Sequence, residues 1–245
     1  METILSLNNV SKSFGGLLAV NQANLSIQKG ELRALIGPNG AGKTTLLNLI
    51  TGIYSASRGK ILFKNQEITR LRPDQISHRG ISRTLQITSL FVGLTVYENI
   101  WAAVQSRKRF FNPFIRAFKW QDVREKTEQM LELTGLQDKA QLICSELAYG
   151  EQRILEMGIA LSTGPDLLLL DEPTAGLNTQ ESMSLVKKMR IMLSGQTIIL
   201  VEHDMGVVME LADRISVLHY GTVLAEGSPE EIKNNGEVKS IYLGS

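Results

Sequence analysis

The sequence reads Gly37-Pro38-Asn39-Gly40-Ala41-Gly42-Lys43-Thr44-Thr45 directly after a mostly apolar run, Leu32–Ile36, and directly before a helix pattern that ends near Gly52. A strand, a glycine-rich loop and a helix in this order form the pattern of a phosphate-binding loop (P-loop). Glycines let the backbone wrap around a polyphosphate so that amide groups point inward at the helix N-terminus. Lys43 can reach the outer phosphates, and Thr44 offers a hydroxyl to Mg²⁺. The stretch therefore predicts a polyphosphate site on an α/β fold, rather than an ordinary glycine turn before a helix.

Two carboxylates close a second apolar run, because Asp171-Glu172 follows Leu167–Leu170. Active groups of open α/β sheets gather at the carboxyl ends of the strands. Asp171 can hold a hydrated Mg²⁺ there, and Glu172 can polarise an attacking water. Taken alone, the pattern more often marks a solvated strand end. Its combination with the glycine-rich loop favours the catalytic interpretation.

A histidine and a glutamine complete the candidate catalytic set. His203 follows the apolar run Ile198–Val201, and a neighbouring strand in that position predicts an imidazole beside Glu172. There it could contact a γ-phosphate or the attacking water, although an ordinary surface histidine is the alternative. Gln86, within Arg83-Thr84-Leu85-Gln86, indicates nothing more than a surface amide on its own.

The composition excludes several classes of protein. The chain has 245 residues, 26 Lys and Arg against 25 Asp and Glu, and a net charge of +1, so no overall charge attracts nucleic acid. Cys144 is the single cysteine, which excludes a disulfide framework and favours a reducing, cytosolic setting. The longest apolar runs fall far short of the roughly 20 residues of a membrane-spanning helix. The start, Met1–Ile4, lacks the features of a signal peptide. We therefore expect a soluble intracellular chain that can still dock on a membrane protein.

The hydrophobic patterns divide the chain into a core and a helical insertion. Short alternating runs predict antiparallel strands at Ile4–Leu7, Asn24–Ile27 and Gly59–Phe63. The middle segment predicts helices, one opened by a capping box at Thr95 and Glu98 and one over Asp122–Leu133. A helix over about 179–193, a hairpin at Tyr220-Gly221 and a helix capped by Ser228 follow. We expect one domain over 1–245, with an α/β core and β subdomain at about 1–86 and 163–245 and a helical subdomain at about 87–162.

The order of these motifs resembles that of the ATP-binding-cassette (ABC) ATPases. They are the glycine loop, Gln86, the signature-like Leu147-Ala148-Tyr149-Gly150-Glu151-Gln152-Arg153, Asp171-Glu172 and His203, and the resemblance covers essentially the whole chain. It implies an ABC-type P-loop NTPase that hydrolyses ATP with Mg²⁺. It also implies a head-to-tail dimer, in which the signature segment of each subunit closes over the ATP on its partner's loop. The signature is a second glycine-led helix start and so a second anion-binding element, although as a free-standing motif it is weak evidence.

The resemblance also assigns roles to single residues. It implies Lys43, Gln86, Glu172 and His203 as catalytic or γ-phosphate-sensing groups, and Thr44, Gln86 and Asp171 as groups around Mg²⁺. Nucleotide binding is implied for the glycine loop, for Phe14 and, from the partner subunit, for Ala148, Tyr149, Gly150 and Glu151. The family stacks adenine on an aromatic residue at the position of Phe14. A strand aromatic without that role is the alternative for Phe14.

Smaller motifs resemble those of ATP-binding subunits of bacterial branched-chain amino acid importers. They are Ala148-Tyr149-Gly150, Ala175-Gly176-Leu177-Asn178, Val201-Glu202-His203-Asp204-Met205 and the ending Ile241-Tyr242-Leu243-Gly244. This resemblance implies a peripheral protein on the cytoplasmic face of the bacterial inner membrane. It would energise import through separate permeases that work with a solute-binding protein, and the Gln86 region and the following helix would receive the permeases. Importers of urea or other amides and lipopolysaccharide exporters share these motifs, so the solute stays open. A soluble nucleic-acid-associated ABC ATPase is disfavoured, because the chain has one cassette and no heptad run.

Three residues depart from the general family pattern. Ala148 replaces a serine, Glu151 a glutamine, and Asn178 an aspartate. The first and third are also usual in the amino-acid-importer branch, whereas Glu151 is unexplained. The stretch 107–120 is basic and aromatic, which is compatible with contact to lipid headgroups or to a membrane subunit. We favour a solvated helix and loop whose aromatic residues pack on the helical subdomain.

Overall fold

The computed structural model describes residues 2–84, 90–106 and 118–243. The strands are β1 (Thr3–Phe14), β2 (Leu17–Gln28), β3 (Leu32–Ile36), β4 (Arg58–Phe63), β5 (Gln66–Glu67), β6 (Ile81–Arg83), β7 (Leu167–Asp171), β8 (Ile198–Val201), β9 (Arg214–His219) and β10 (Thr222–Gly227). The helices are α1 (Lys43–Ile50), α2 (Pro73–His78), α3 (Val96–Ser106), α4 (Phe118–Thr134), α5 (Tyr149–Ser162), α6 (Thr179–Met192), α7 (Met205–Leu211), α8 (Pro229–Asn234) and α9 (Gly236–Leu243). Across the described parts of the chain, none of these helices has the length and apolar character needed to cross a membrane.

The chain divides into two compact units. The first comprises Met1–Arg83, Asp166–Glu172 and Gly195–Ser245, and the second comprises Thr84–Pro165 and Pro173–Ser194. The predicted helical subdomain, at about 87–162, falls inside the second unit. That unit also takes in 173–194, which carries α6.

An antiparallel sheet with the strand order β2-β1-β4-β5 forms one layer of the first unit. Its register pairs Leu5 with Ile27 of β2 and with Phe63 of β4. All three side chains are almost fully buried, because alternate residues of a strand face the same side and here face the core. The three strands predicted in this region are confirmed, and β1 and β2 are longer than their sequence patterns.

The second sheet of this unit has the order β10-β9-β3-β8-β7-β6 and is parallel except for its edge strand β10. Side chains of β3 alternate between two cores, with Leu35 packed on the α1 side and Ala34 and Ile36 on the side of α7, α8 and α9. Burial on both faces is why Leu167–Leu170 of β7 and Ile198–Val201 of β8 are unbroken apolar runs. Because β3, β8 and β7 are adjacent and parallel, the segments that follow them leave the same edge of the sheet.

The second unit is helical. Helices α3, α4, α5 and α6 pack on one another, and its described residues contain no strand, only an isolated bridge between Thr95 and Ile143. The predicted capping box is present, since the Thr95 amide donates to Glu98 Oε2 at 2.8 Å and the Glu98 amide donates to Thr95 Oγ1 at 3.1 Å. Gly135 follows α4 with a φ of +66°, as the stop signal after Leu133 predicted.

Candidate active site

The glycine-rich loop runs from the end of β3 into α1. No side chain of the described residues caps α1, whose N-cap residue is Gly42. The first amides of a helix lack intrahelical acceptors, so these amides are available to an anion. A backbone hydrogen bond also holds the loop in place, because the Gly221 amide donates to the Ala41 carbonyl oxygen at 2.9 Å. Gly37 passes so close to β9 that a Cβ there would lie 2.2 Å from the Leu218 carbonyl oxygen.

Lys43 lies inside this loop with its ammonium group held by backbone. Its Nζ donates to the carbonyl oxygens of Gly37 at 2.6 Å and of Pro38 at 3.0 Å. Burial lowers the pKa of Lys43 from its ordinary value, and the negative charges of Glu172 and Asp171 act against this effect. Asp171 and Glu172 thus lie close enough to Lys43 for their charges to act on its ammonium group. A buried ammonium beside unsatisfied amides is the arrangement that binds the outer phosphates of a nucleotide.

Asp171 is the last residue of β7, and its side chain is fully buried. Its Oδ2 accepts a hydrogen bond from Arg83 Nη2 at 2.6 Å. Its Oδ1 has no hydrogen-bond partner among the described residues. A buried carboxylate oxygen without a donor is costly unless a ligand uses it. This oxygen is therefore a candidate acceptor for a metal-bound water or a metal ion.

Glu172 follows immediately and turns toward His203. Its backbone is left-handed, with a φ of +52°, although its amide still donates to the Val201 carbonyl oxygen at 2.8 Å. Glu172 Oε2 lies 3.0 Å from His203 Nε2, and the two side chains are 19% and 50% exposed. The strand ends pair directly, Asp171 with Val201, which is why residues 172 and 203 meet. The prediction that His203 lies beside Glu172 is confirmed. A left-handed non-glycine residue at such a point is a feature of strained functional sites.

Phe14 ends β1 and is 41% exposed. Its ring and that of Tyr54 pack edge to face, with the centroids 5.1 Å apart, and Lys12 Nζ lies 4.9 Å from the centroid of the Phe14 ring. The side chain is thus supported on one side and accessible on another. This arrangement is compatible with adenine stacking and with strand packing alike, and the adenine role stays a prediction.

The signature segment opens α5 in the second unit, at Tyr149 rather than at Gly150. Glu151 closes back on the helix start, because its Oε2 accepts from the Ala148 amide at 3.3 Å. Lys139 Nζ donates to both carboxylate oxygens of Glu151, at 2.6 and 2.8 Å. Burial would raise the pKa of Glu151, but the hydrogen bonds from Lys139 and Ala148 outweigh it and hold the pKa below its ordinary value. The unexplained carboxylate is therefore a helix cap whose charge is balanced by a lysine.

The signature helix is also tied to the loop before α6. The Tyr149 hydroxyl donates to the Ala175 carbonyl oxygen at 3.2 Å and accepts from Arg153, whose guanidinium carbon lies 4.8 Å from the tyrosine ring centroid. Asn178 caps α6, since its Oδ1 accepts from the Glu181 amide at 3.0 Å. An asparagine can thus replace an aspartate at this position without loss of the helix cap.

Comparison with known proteins identifies the family. The model of the ABC transporter family matches residues 20–175. The chain is 41% identical to the high-affinity branched-chain amino acid transport ATP-binding protein LivG of Escherichia coli K12, over 99% of this chain and 98% of LivG. This chain belongs to the ABC transporter family. The cassette is also 39% identical to the BraF protein of Pseudomonas aeruginosa, which carries the same description, over 98% of both chains.

Solved structures of ABC cassettes have the same fold. One is a nucleotide-free ATP-binding cassette from an ABC transporter, with a TM-score of 0.84, 32% identity and full coverage of both chains. Another is a bacterial ABC transporter cassette solved as a dimer, with a TM-score of 0.77 and 25% identity over 92% of this chain and 99% of that one. The predicted ABC-type α/β fold with its antiparallel sheet and helical elements is confirmed. The cassette is an ATP-binding ATPase subunit of a transporter.

Two of the sequence predictions fall outside the part of the cassette that the structure describes. Gln86 lies between residues 84 and 90, so its roles toward Mg²⁺ and γ-phosphate remain predictions. Most of the basic aromatic stretch, 107–117, is also outside, and its remaining residues begin α4.

The sequence analysis assigned no role to three residues of the cassette whose contacts hold the site residues in place. Arg83 holds Asp171, Lys139 holds Glu151, and Arg153 holds Tyr149. Arg153 was quoted within the signature, and its spacing of four residues from Tyr149 on a helix could have indicated the contact. Nothing in the local sequence marks the other two, because their partners lie 88 and 12 residues away.

Proposed function

We propose that this cassette binds ATP with Mg²⁺ on its glycine loop and hydrolyses it with Glu172 as the general base. The observation that carries the proposal is the grouping of Lys43, Asp171, Glu172 and His203 around neighbouring ends of three parallel strands. Phosphoryl transfer needs positioned positive charge at the phosphates and a base at the water, and this edge of the sheet has both. Backbone amides of Gly37–Thr45 and the Lys43 ammonium would hold the phosphates.

The chain's residues fit Mg²⁺ at this site. Asp171 Oδ1 is a buried acceptor that no described residue uses, and Thr44 is the exposed second residue of α1. Among the described residues there is no cluster of three or more His, Cys, Asp or Glu side chains able to hold a metal. This composition suits Mg²⁺, which is commonly bound by one or two carboxylates together with waters and substrate phosphates. When bound, the ion would neutralise charge on the outer phosphates.

Glu172 and His203 would divide the work at the attacking water. Glu172 is the better candidate for the base, because its carboxylate is mostly shielded from solvent and is oriented by the imidazole 3.0 Å away. His203, half exposed, would hold Glu172 in place and contact the γ-phosphate. Gln86 would contact the same phosphate.

The signature segment supports a site shared between two subunits. In the described part of the chain no side chain accepts from the first amides of α5, and Lys139 balances the charge of its carboxylate Glu151, so the helix end can still accept a phosphate. The dimeric bacterial cassette is precedent for paired subunits. We infer that Ala148, Tyr149, Gly150 and Glu151 of one subunit face the nucleotide held by the other.

An exposed apolar patch supports docking to membrane subunits. It consists of Phe91, Val92, Leu94, Leu142 and Ile143, with Phe91 and Val92 61% and 59% exposed. Backbone hydrogen bonds join its two segments, from Cys144 to Leu94 at 3.1 Å and from Val96 to Leu142 at 3.0 Å. An exposed apolar surface of this kind is typical of a protein contact. We infer that permease subunits bind here and that the cassette is peripheral to the cytoplasmic face of the membrane.

The relatives support a solute class. LivG and BraF are named for branched-chain amino acid transport, and both align over nearly the whole cassette. We infer import of branched-chain or related amino acids through separate permeases that receive the solute from a binding protein.

The decisive experiment pairs the cassette with its permeases. Glu172→Gln should lower ATP turnover by about 10²–10⁴, the usual reach of a general base, while ATP binding is retained. Glu210→Gln, an exposed change on α7, is the matched control and should hydrolyse ATP normally. Turnover of Glu172→Gln close to wild type would remove Glu172 from its role.

A transport experiment tests the solute class. In proteoliposomes with the permeases and binding protein, labelled leucine uptake should depend on ATP, and uptake of urea alone would refute the solute assignment.

A further inference from the structure

Arg83, the last residue of β6, lies where three elements of the first unit meet. Its Nη2 donates to Asp171 Oδ2 on β7 at 2.6 Å, and its Nη1 donates to Asn48 Oδ1 on α1 at 2.5 Å. The guanidinium is nearly as buried as the carboxylate, with side chains 9% and 0% exposed. One side chain thus links the carboxylate at the proposed metal site to the helix that follows the glycine loop.

The pairing of Arg83 with Asp171 is asymmetric. An arginine and a carboxylate often form two parallel hydrogen bonds that occupy both oxygens. Here a second donor of the guanidinium is directed to Asn48 instead, and Arg83 Nε has no partner among the described residues. Among the described residues only Asp171 Oδ2 is engaged, so Oδ1 keeps its lone pairs while the hydrogen bond at Oδ2 restricts rotation of the carboxylate.

We propose that Arg83 is a positioning residue for Asp171, a role that rests on the magnesium site proposed above. The guanidinium fixes Oδ2 and compensates part of the buried charge, and Oδ1 is thereby presented to the metal of the nucleotide complex. The link to Asn48 sets the distance between this oxygen and α1, whose second residue is Thr44. Replacing a residue that orients a metal ligand through a hydrogen bond typically lowers metal affinity by about 10–100-fold.

The test separates metal binding from nucleotide binding in the full-length chain. Binding of Mn²⁺ in the presence of saturating ADP is followed by the electron paramagnetic resonance signal of free Mn²⁺, and binding of ADP in EDTA is followed by calorimetry. Arg83→Met removes the charge and both hydrogen bonds. Arg83→Lys keeps the charge but cannot reach two acceptors with a planar fork. The control is Lys64→Met, which breaks the exposed ion pair with Asp166, just before the other end of β7.

We expect Mn²⁺ to bind about 10–100-fold more weakly to Arg83→Met, and detectably more weakly to Arg83→Lys, while metal-free ADP binds all proteins within about twofold. If Arg83→Met fails to fold, Arg83→Lys alone decides. Unchanged Mn²⁺ affinity in a folded Arg83 variant would overturn the proposal. So would an equal loss of metal-free ADP binding, since that pattern reports general damage. Asp171→Asn tells the two proposals apart: if it too leaves Mn²⁺ binding unchanged, the magnesium site itself is wrong.

Discussion

Replacing Gly37 with alanine tests whether the glycine loop depends on its close approach to β9. Gly37 has a φ of +153°, and a Cβ there would lie 2.2 Å from the Leu218 carbonyl oxygen. Gly40 in the same loop is the matched control, because its φ is +79° but a Cβ there would meet nothing within 4 Å. Both substitutions strain the backbone, and only Gly37→Ala also forces a steric overlap.

The expected cost follows from this difference. An alanine at either positive φ costs on the order of 1–3 kcal/mol, which both variants share to a first approximation. Overpacking adds about 1–3 kcal/mol at Gly37. The Leu218 carbonyl oxygen would have to move away by roughly 1 Å, which its place in the sheet does not allow. For a chain of this size each kcal/mol lowers the melting temperature by about 2–4 °C. Gly37→Ala should therefore melt about 2–12 °C below Gly40→Ala.

Thermal unfolding followed by circular dichroism without nucleotide measures this gap directly. A calorimetric titration with ATP should then show a larger loss of affinity for Gly37→Ala, since displacing the start of the loop spoils the convergence of its amides. Equal melting temperatures for the two variants would refute the packing argument. A Gly37→Ala protein as stable as the wild type would also show that Gly37 does not approach the Leu218 carbonyl oxygen closely in solution.

Three further predictions concern the nucleotide site and the signature segment. Phe14→Ala should weaken ATP binding by about 0.5–1.5 kcal/mol with little change in the rate at saturating ATP, and an unchanged affinity would assign Phe14 to strand packing alone. Because the pKa of Glu151 lies below its ordinary 4.5, its stabilisation is complete above that pH and is lost as the pH falls through the lower folded-state value. The melting temperature of the wild type should thus exceed that of Glu151→Gln by a constant amount at neutral pH and by less once the pH falls below 4.5 into the range of the lowered pKa, and a gap that widens in acid would contradict the assignment. Lys43→Ala and Gly150→Asp should each abolish ATPase activity. Their mixture should recover part of it, because a mixed dimer has one intact composite site. If both variants fold and associate but the mixture stays inactive, then either the two subunits do not share the sites or one intact site cannot hydrolyse ATP alone.

The local patterns of the sequence were sufficient for most of the elements of the fold. Period-two runs located β1, β2 and β4, and the capping box at Thr95 located the start of α3. Short elements escaped, among them α2 and α7, because six or seven residues give too few turns for a periodic signal. The N-cap of α7 is nonetheless present in Asp204, whose Oδ1 accepts from the Gly206 amide at 2.7 Å.

The sequence by itself determined which groups the site contains. The spacing of Gly37–Thr45 and the position of Asp171-Glu172 after an apolar run are local patterns, and each has a direct chemical meaning. The placement of His203 beside Glu172 also followed from the sequence, because consecutive parallel strands bring their ends to one edge of a sheet.

Only the tertiary structure decided how these groups are held and charged. Arg83 reaches Asp171 across 88 positions of sequence, and Lys139 balances Glu151 from a separate turn of the chain. Such contacts depend on how strands and helices pack side by side, which no local periodicity encodes. The physical reason is that a buried charge must find its partner in space, and the partner's place in the sequence is unconstrained as long as the fold brings the two together.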